Sequence, residues 1–138
     1  MDKTTIVVHS GDLDKFMSAL IIGTGFLSVG GKVTMYFTFW GLQRLISGKL
    51  SKAPLSKMNF LGLGAWMMRR KMKKVHVATP ERLMADFKAL GGRVIACEMT
   101  MEVMGISKNE LDQKLIDEFG AVGTYVKETR DSQRALFI

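Results

Sequence analysis

Apolar residues in this chain fall into short β-branched runs separated by longer stretches of mixed or helical spacing. Lys3 to His9 (Lys-Thr-Thr-Ile-Val-Val-His) is one such run, ended by Ser10-Gly11-Asp12, the pattern of a buried strand and its turn. Asp12 stands where a helix N-cap belongs, and the stretch to about Val29 is apolar almost all round. From Phe16 to Gly31 there are sixteen residues and no charge. That falls short of the roughly 20 residues needed to cross a bilayer. Gly23, Gly25, Ser28, Gly30 and Gly31 dilute it further, so a helix buried against a sheet is expected.

Lys32 to Phe39 (Lys-Val-Thr-Met-Tyr-Phe-Thr-Phe) predicts a second strand, ended by Trp40-Gly41-Leu42. Gln43 to about Ser47 suits a short helix. Gly48 to Asn59, with Pro54 among lysines and serines, reads as a long excursion. Phe60 to Lys74 mixes Leu61, Leu63, Trp66, Met67 and Met68 with a basic tail. Thr79-Pro80-Glu81 opens a helix to Leu90, and Gly91-Gly92 closes it. Arg93 to Cys97 predicts a third strand. Helical segments are expected over Glu98 to Gly105 and over Ser107 to Phe119, where Ser107 can cap with Glu110 three residues on. Gly120 to Thr129 is ambiguous between helix and strand, and Arg134 to Ile138 predicts a terminal strand. Strand–helix alternation of this kind implies a parallel, helix-covered sheet. The expected organisation is a single domain over 1–138, with a basic excursion at about 48–74.

Composition narrows the class. Of 138 residues, 47% are hydrophobic and only two are proline, which excludes disorder and low complexity. A chain of this length buries enough surface to fold without a disulfide or metal staple. Its one cysteine, Cys97, excludes a disulfide framework, a zinc ribbon and an intramolecular resolving pair. Met1-Asp2-Lys3 leads into too short an apolar run for a secretory signal. With a free thiol, the expected location is the reducing cytoplasm.

Charge is distributed unevenly. Between Asp14 and Glu81 lie eleven basic residues and no acidic one, while the rest of the chain has nine basic against thirteen acidic, a net −4 against +11. Such asymmetry implies an anionic partner, a membrane surface or charge-complementary subunits. Trp66 to Lys74 suits an interfacial helix, with Trp and Met inward and Arg69, Arg70, Lys71, Lys73 and Lys74 at lipid headgroups; the plainer reading is a solvated basic face or a subunit contact. Nucleic acid is not expected as a partner, because no stacking platform or known motif accompanies the charge.

Cys97 lies at the expected carboxyl end of a strand, directly before a helix, where open α/β sheets form sites. A helix amino terminus favours the thiolate, the reactive form of cysteine; the alternative is a small buried hydrophobe. Cys97, Met99, Met101 and Met104 together offer soft ligands for Cu(I). Methionine at helical spacing is more often core filler, no histidine lies close in sequence, and no metal or cofactor is assigned. Ser10-Gly11-Asp12 can present N–H groups to an anion, but lacks the length and lysine of a P-loop. His9 and His76 are isolated and read as structural or surface residues.

Three motifs together, Ser10-Gly11-Asp12-Leu13-Asp14-Lys15, Phe37-Thr38-Phe39-Trp40-Gly41-Leu42 and Ala96-Cys97-Glu98-Met99-Thr100-Met101-Glu102-Val103-Met104-Gly105, resemble the DsrE/DsrF/DsrH-like family. The match is to its larger-variant branch, whose members often carry the label peroxiredoxin family protein. Thr100 and Glu102 stand where the motif has Ser and Asp. The resemblance implies a three-layer α/β/α sandwich with a mainly parallel central sheet, assembled as a homo-oligomer, trimeric or hexameric. It implies a sulfur carrier, sulfurtransferase-like, holding sulfane sulfur as a persulfide on Cys97 and working with rhodanese-like and TusA-like sulfur-transfer proteins. Ser10, Gly11, Asp12, Thr38 and Trp40 at neighbouring strand ends would then wall the pocket, with Met99, Met101 and Met104 of the cysteine motif. One exposed thiolate without a neighbouring thiol suits a persulfide carrier. A peroxidase is not expected: beside Cys97 there is no activating arginine and no Pro/Thr setting. The competing reading is a membrane-peripheral or protein-interaction module that uses the basic 44–74 segment and transfers no sulfur.

Overall fold

Every β-branched run picked out above joins one sheet, and all its pairings are parallel. The computed structural model describes residues 2–138. In chain order the elements are β1 (Lys3–Val8), α1 (Leu13–Ser28), β2 (Lys32–Phe37), α2 (Phe39–Leu42), α3 (Leu63–Lys74), α4 (Pro80–Ala89), β3 (Arg93–Cys97), α5 (Glu98–Met104), β4 (Glu118–Gly120), α6 (Val122–Thr129) and β5 (Arg134–Phe137). The sheet order is β4-β3-β2-β1-β5, with Ile6 beside Met35, Met35 beside Val94, and Cys97 beside Gly120.

A parallel sheet needs cover on both faces, and alternation along the strands divides its residues between them. Ile6, Val8, Met35, Phe37, Val94 and Ala96 face α1 and α4, which bring Phe16, Leu20, Leu27, Met84 and Phe87 to the main core. The other face holds Val7, Tyr36, Ile95 and Cys97, with Tyr125 of α6 packed against them. The expected α/β/α layering is therefore present, and the sheet is parallel throughout. No residue of α6 is fully buried, and polar contacts add to the Tyr125 packing. Glu128 accepts from Thr34 Oγ1 at 3.1 Å, pairs with Lys3 Nζ at 3.2 Å and receives the Arg93 guanidinium. Burial pushes the Glu128 carboxyl up, but the hydrogen bond from Lys3 and the charges of Arg93 and Lys3 more than reverse this, leaving it below the usual carboxylate range.

The apolar stretch after Asp12 forms α1, with Phe16, Ala19, Leu20 and Leu27 buried while Ile21 and Ile22 stay exposed. Among the described residues no helix is long and apolar enough to cross a membrane. Thr79 caps α4 as expected, its side chain accepting from the Arg82 N–H at 3.2 Å. Asp12 occupies the N-cap position of α1 but makes no cap bond; its carboxylate accepts from the Ser10 hydroxyl at 3.1 Å instead. The excursion from Gly48 forms no regular element before a 3-10 turn at Phe60–Gly62. It is pinned from inside: the buried Arg44 donates to the Lys49 and Lys52 carbonyls, the Asp14 carboxylate accepts from the Ser56 N–H at 2.9 Å, and Ala53 and Leu55 join Leu13, Met17 and Ala65 in a second small core.

One expected helix is absent. Ser107 and Glu110 do form a capping box, yet it caps only a 3-10 turn at Lys108–Glu110, followed by loop and then β4. Long-range backbone bonds stop the helix. Ser47 N–H donates to the Glu110 carbonyl at 3.0 Å, Asp112 N–H to the Leu45 carbonyl at 2.8 Å, and Asp117 N–H to the Val94 carbonyl at 2.9 Å. Leu111, 2% exposed, plugs the main core at that crossing. β2 also ends two residues early: the Thr38 N–H still reaches the Val8 carbonyl at 3.1 Å, but Phe39 turns left-handed, φ 45°, and its N–H goes to Thr100 Oγ1 instead of the sheet. Leu111→Ala is expected to cost about 2–5 kcal/mol by urea unfolding, as for a buried leucine in a core that cannot collapse around it; a loss under about 0.5 kcal/mol, as at an exposed site, would contradict the plugging role.

Candidate functional site

Parallel strands bring their carboxyl ends to one edge, so β1, β2 and β3 deliver three loops to the same place. The first two interlock. A β-carbon on Gly11 would lie 2.4 Å from the Trp40 carbonyl oxygen, and one on Gly41 would lie 2.1 Å from that of Val8. Only glycine permits backbones this close, and the Gly41 N–H donates to the His9 carbonyl at 2.9 Å. Between them Phe39 takes a left-handed backbone, φ 45°, a strained conformation of the kind that collects at functional sites. Its N–H donates to Thr100 Oγ1 at 2.9 Å, and its ring lies 5.4 Å from that of His9, which stacks on Phe137 at 5.2 Å.

Cys97 is the last residue of β3 and the N-cap position of α5, in extended backbone (φ −74°, ψ 113°). The sequence places it correctly but not its exposure: the residue is 2% exposed. Around it stand three hydroxyls. Thr38 and Thr100 share a buried hydrogen bond, Oγ1 to Oγ1, of 3.0 Å, and Tyr36 lies in the same cluster as the thiol. Burial pushes the Cys97 thiol up; hydrogen bonding by the Thr100 hydroxyl and backbone, the Tyr36 phenol and the Thr38 hydroxyl outweighs it, and the thiol lies below its ordinary value. In return burial and Cys97 together push the Tyr36 phenol up, so the phenol keeps its proton and can donate it to the sulfur. A donor chain accounts for the arrangement. Phe39 N–H donates to Thr100 Oγ1, which leaves the Thr100 proton free to turn toward the sulfur or the Thr38 oxygen.

The other expected pocket residues divide. Thr38 is in the hydroxyl group, and Gly11 acts through backbone contact with Trp40, whose side chain is about half exposed. Ser10 and Asp12 share the carboxyl edge but bond to each other, the Asp12 N–H donating to Ser10 Oγ at 3.2 Å. The methionines do not converge on Cys97. Met101 is buried in the main core on the opposite face of the sheet, Met99 is exposed and Met104 half-buried, so the set proposed for Cu(I) is not assembled. Tyr36, Thr100 as a hydrogen-bonding residue, Phe39 and Tyr125 were not assigned to the site from sequence. Tyr36 could have been found by strand alternation, since it shares the Cys97 face with Thr38.

The basic segment also departs from expectation. In α3 only Ala65 is buried, and Trp66, Met67 and Met68 are exposed rather than turned inward. Arg69 is not a free surface cation, because its guanidinium donates to the Ser51 and Ala53 carbonyls at 2.6 and 3.0 Å. Arg70, Lys71, Lys73 and Lys74 are exposed.

Compared with known proteins, residues 1–49 and 43–137 match the DsrE/DsrF/DrsH-like family. The uncharacterized protein YrkE of Bacillus subtilis (strain 168) is 34% identical over 156 residues, spanning 99% of this chain and 96% of its own. The sulfur carrier protein DsrE2 of Allochromatium vinosum is 26% identical over 157 residues, spanning 99% and 98%. Among solved structures, the E. coli ychN protein matches over the whole of both chains with a TM-score of 0.68 at 14% identity. MTH1491 from Methanobacterium thermoautotrophicum does so with a TM-score of 0.65 at 11% identity. At such identities these two establish the shared fold.

Two outcomes are expected from the geometry. Thr100→Val and Tyr36→Phe each remove a donor to the sulfur, so the pH profile of Cys97 alkylation should move to higher pH in both variants; an unmoved profile would contradict the hydroxyl cage. Because the folded thiol titrates below the unfolded one, its contribution to stability is present above the unfolded value and fades as pH falls through the folded one. Tyr125→Ala should speed alkylation several-fold at high pH, where the thiol is ionised in both proteins, because Tyr125 packs over the cluster that buries it.

Proposed function

Because this chain belongs to the DsrE/DsrF/DrsH-like family, we propose that it works in a sulfur relay, carrying sulfane sulfur as a persulfide on Cys97. The observation that carries this reading is a solitary cysteine at the carboxyl edge of a parallel sheet, ringed by Thr38, Thr100 and Tyr36, with its thiol held below the ordinary value. The likeness to a protein named as a sulfur carrier supports it.

The chemistry is an exchange without net oxidation. The Cys97 thiolate attacks the outer sulfur of a donor persulfide, R–S–SH. The donor S–S bond breaks, R–S⁻ leaves, and Cys97 holds –S–SH. Onward transfer repeats the step: an acceptor thiolate takes the outer sulfur and the Cys97 thiolate departs. A depressed thiol pKa helps twice, raising the thiolate fraction for loading and making a better leaving group for release. With one cysteine in the chain, no second thiol within the same chain can discharge the persulfide as a disulfide. Burial shields the loaded sulfur from stray thiols, and α6, without a fully buried residue, is the element whose displacement admits a partner. Rhodanese-like donors and TusA-like acceptors are the partners of this reading. Self-association as a trimer or hexamer would cover Val122, Val126 and Phe137, exposed around the thinly covered face.

Intact-protein mass spectrometry after anaerobic incubation with glutathione persulfide tests it. The parent should gain one sulfur, about 32 Da, removable by a thiol, and Cys97→Ser should gain none. A parent that never gains sulfur, although Cys97 alkylates under the same conditions, would overturn the reading.

A further inference from the structure

The segment from Lys57 to Lys74 plays no part in the cysteine site, yet it is the most unusual surface of the molecule. We propose that it is a docking face for an anionic lipid bilayer, an inference independent of the sulfur chemistry.

The first observation is the pattern on α3. Leu63, Trp66, Met67, Arg70, Lys71 and Lys74 recur at i, i+3, i+4, i+7, i+8 and i+11, a single stripe of the helix, and all six are exposed. The stripe is apolar in its first half and cationic in its second. The body of the protein takes the opposite side, through Ala65, Met72 and the guanidinium of Arg69. The outward stripe is therefore not a core face left uncovered by error of packing; the helix already has its seat.

The second observation is the tip that precedes the helix. Met58, Phe60 and Leu61 are 89%, 78% and 92% exposed. Met58 and Leu61 hold left-handed backbones, φ 60° and 50°, which side chains larger than glycine adopt at a cost. Gly64 lets the turn close: a β-carbon there would fall 1.7 Å from the Met58 carbonyl oxygen. Between tip and helix runs an apolar groove of about 280 Å³ lined by Leu55, Met58, Phe60, Leu63, Met67 and Met68. The fold thus presents bulky apolar side chains to solvent in a built, strained turn.

The third is charge. No acidic residue occurs between Asp14 and Glu81, and among the described residues no ion pair engages Lys57, Arg70, Lys71, Lys73 or Lys74. Apolar residues that enter the acyl boundary, flanked by cations at headgroup level, are what an interfacial helix needs. A second copy docking through the same face would set one polycation against another. A soluble acidic partner would use the lysines but leave Phe60, Leu61 and Trp66 in water.

Flotation with vesicles of phosphatidylcholine, with and without phosphatidylglycerol, tests this on the full chain. Binding is expected only with phosphatidylglycerol. It should disappear at 1 M salt, where the screening length falls to about 3 Å. Replacing Arg70, Lys71, Lys73 and Lys74 with Gln should weaken it at least about tenfold. Phe60→Ser with Leu61→Ser, at unchanged charge, should weaken it several-fold as well. All these side chains are exposed, so circular dichroism and thermal unfolding should match the parent. The proposal is overturned if the parent ignores anionic vesicles, if the Gln variant binds as well as the parent, or if the Ser variant binds as well as the parent while heparin competes fully, which would mark a site for soluble polyanions. Concentration-dependent self-association abolished by the Ser variant, without vesicle binding, would overturn it in favour of a second copy.

Discussion

The arrangement of the cysteine site depends on how closely two backbones approach one another. Gly11 lies against the Trp40 carbonyl and Gly41 against that of Val8, with no room for a β-carbon at either. This closeness fixes the ends of β1 and β2 relative to each other. It also forces the chain to turn at once after β2, which puts Phe39 in a left-handed conformation. The N–H turned out of the sheet there is satisfied by the Thr100 hydroxyl. Thr100 belongs to α5, so one hydrogen bond ties the β2 loop to the helix that follows Cys97.

That tie decides the electrostatics of the thiol. Burial by itself favours the neutral form. Thr100, its oxygen already occupied by the Phe39 N–H, can turn its proton to the sulfur, and Tyr36 adds a phenol whose own ionisation is pushed away by burial and by Cys97. Hydrogen bonding wins over desolvation, and a cysteine almost without solvent contact is held below its ordinary value. Thr100 brings a methyl group as well as this hydroxyl into a fully buried position.

Cations in this chain serve two ends that composition does not separate. Arg44 and Arg69 face inward onto main-chain carbonyls of the excursion and hold it to the body. Arg93 and Lys3 hold α6 through Glu128. The remaining lysines and Arg70 on α3 have no such work within the fold, and they stand beside exposed apolar side chains. The face of the sheet that bears Cys97 is closed by α6, which has no fully buried residue and is held by the Tyr125 packing and the Glu128 contacts.

The sequence by itself determined β1, β2, β3 and β5, but not the short β4, together with the basic excursion and the strand-end position of Cys97. Each has a local cause: β-branched runs, glycine and proline punctuation, a Thr-Pro-Glu start, an uninterrupted run without carboxylates. The three motifs were legible for the same reason, as short contiguous patterns. What only the tertiary structure decided were the contacts between segments far apart in the chain. The capping box at Ser107 is locally sound, yet the Leu45, Ser47 and Val94 backbones claim the groups that a longer helix would have used. Asp12 lost its cap to Ser10 two residues away, and Met101 went to the core while Cys97 faced the other side of the sheet. Most decisively, Tyr36, Thr38 and Thr100 meet around one sulfur because β2 and β3 are neighbours in register. Their hydroxyls carry no local signature of that meeting, since hydrogen-bond partners are chosen by proximity in space and not by spacing along the chain.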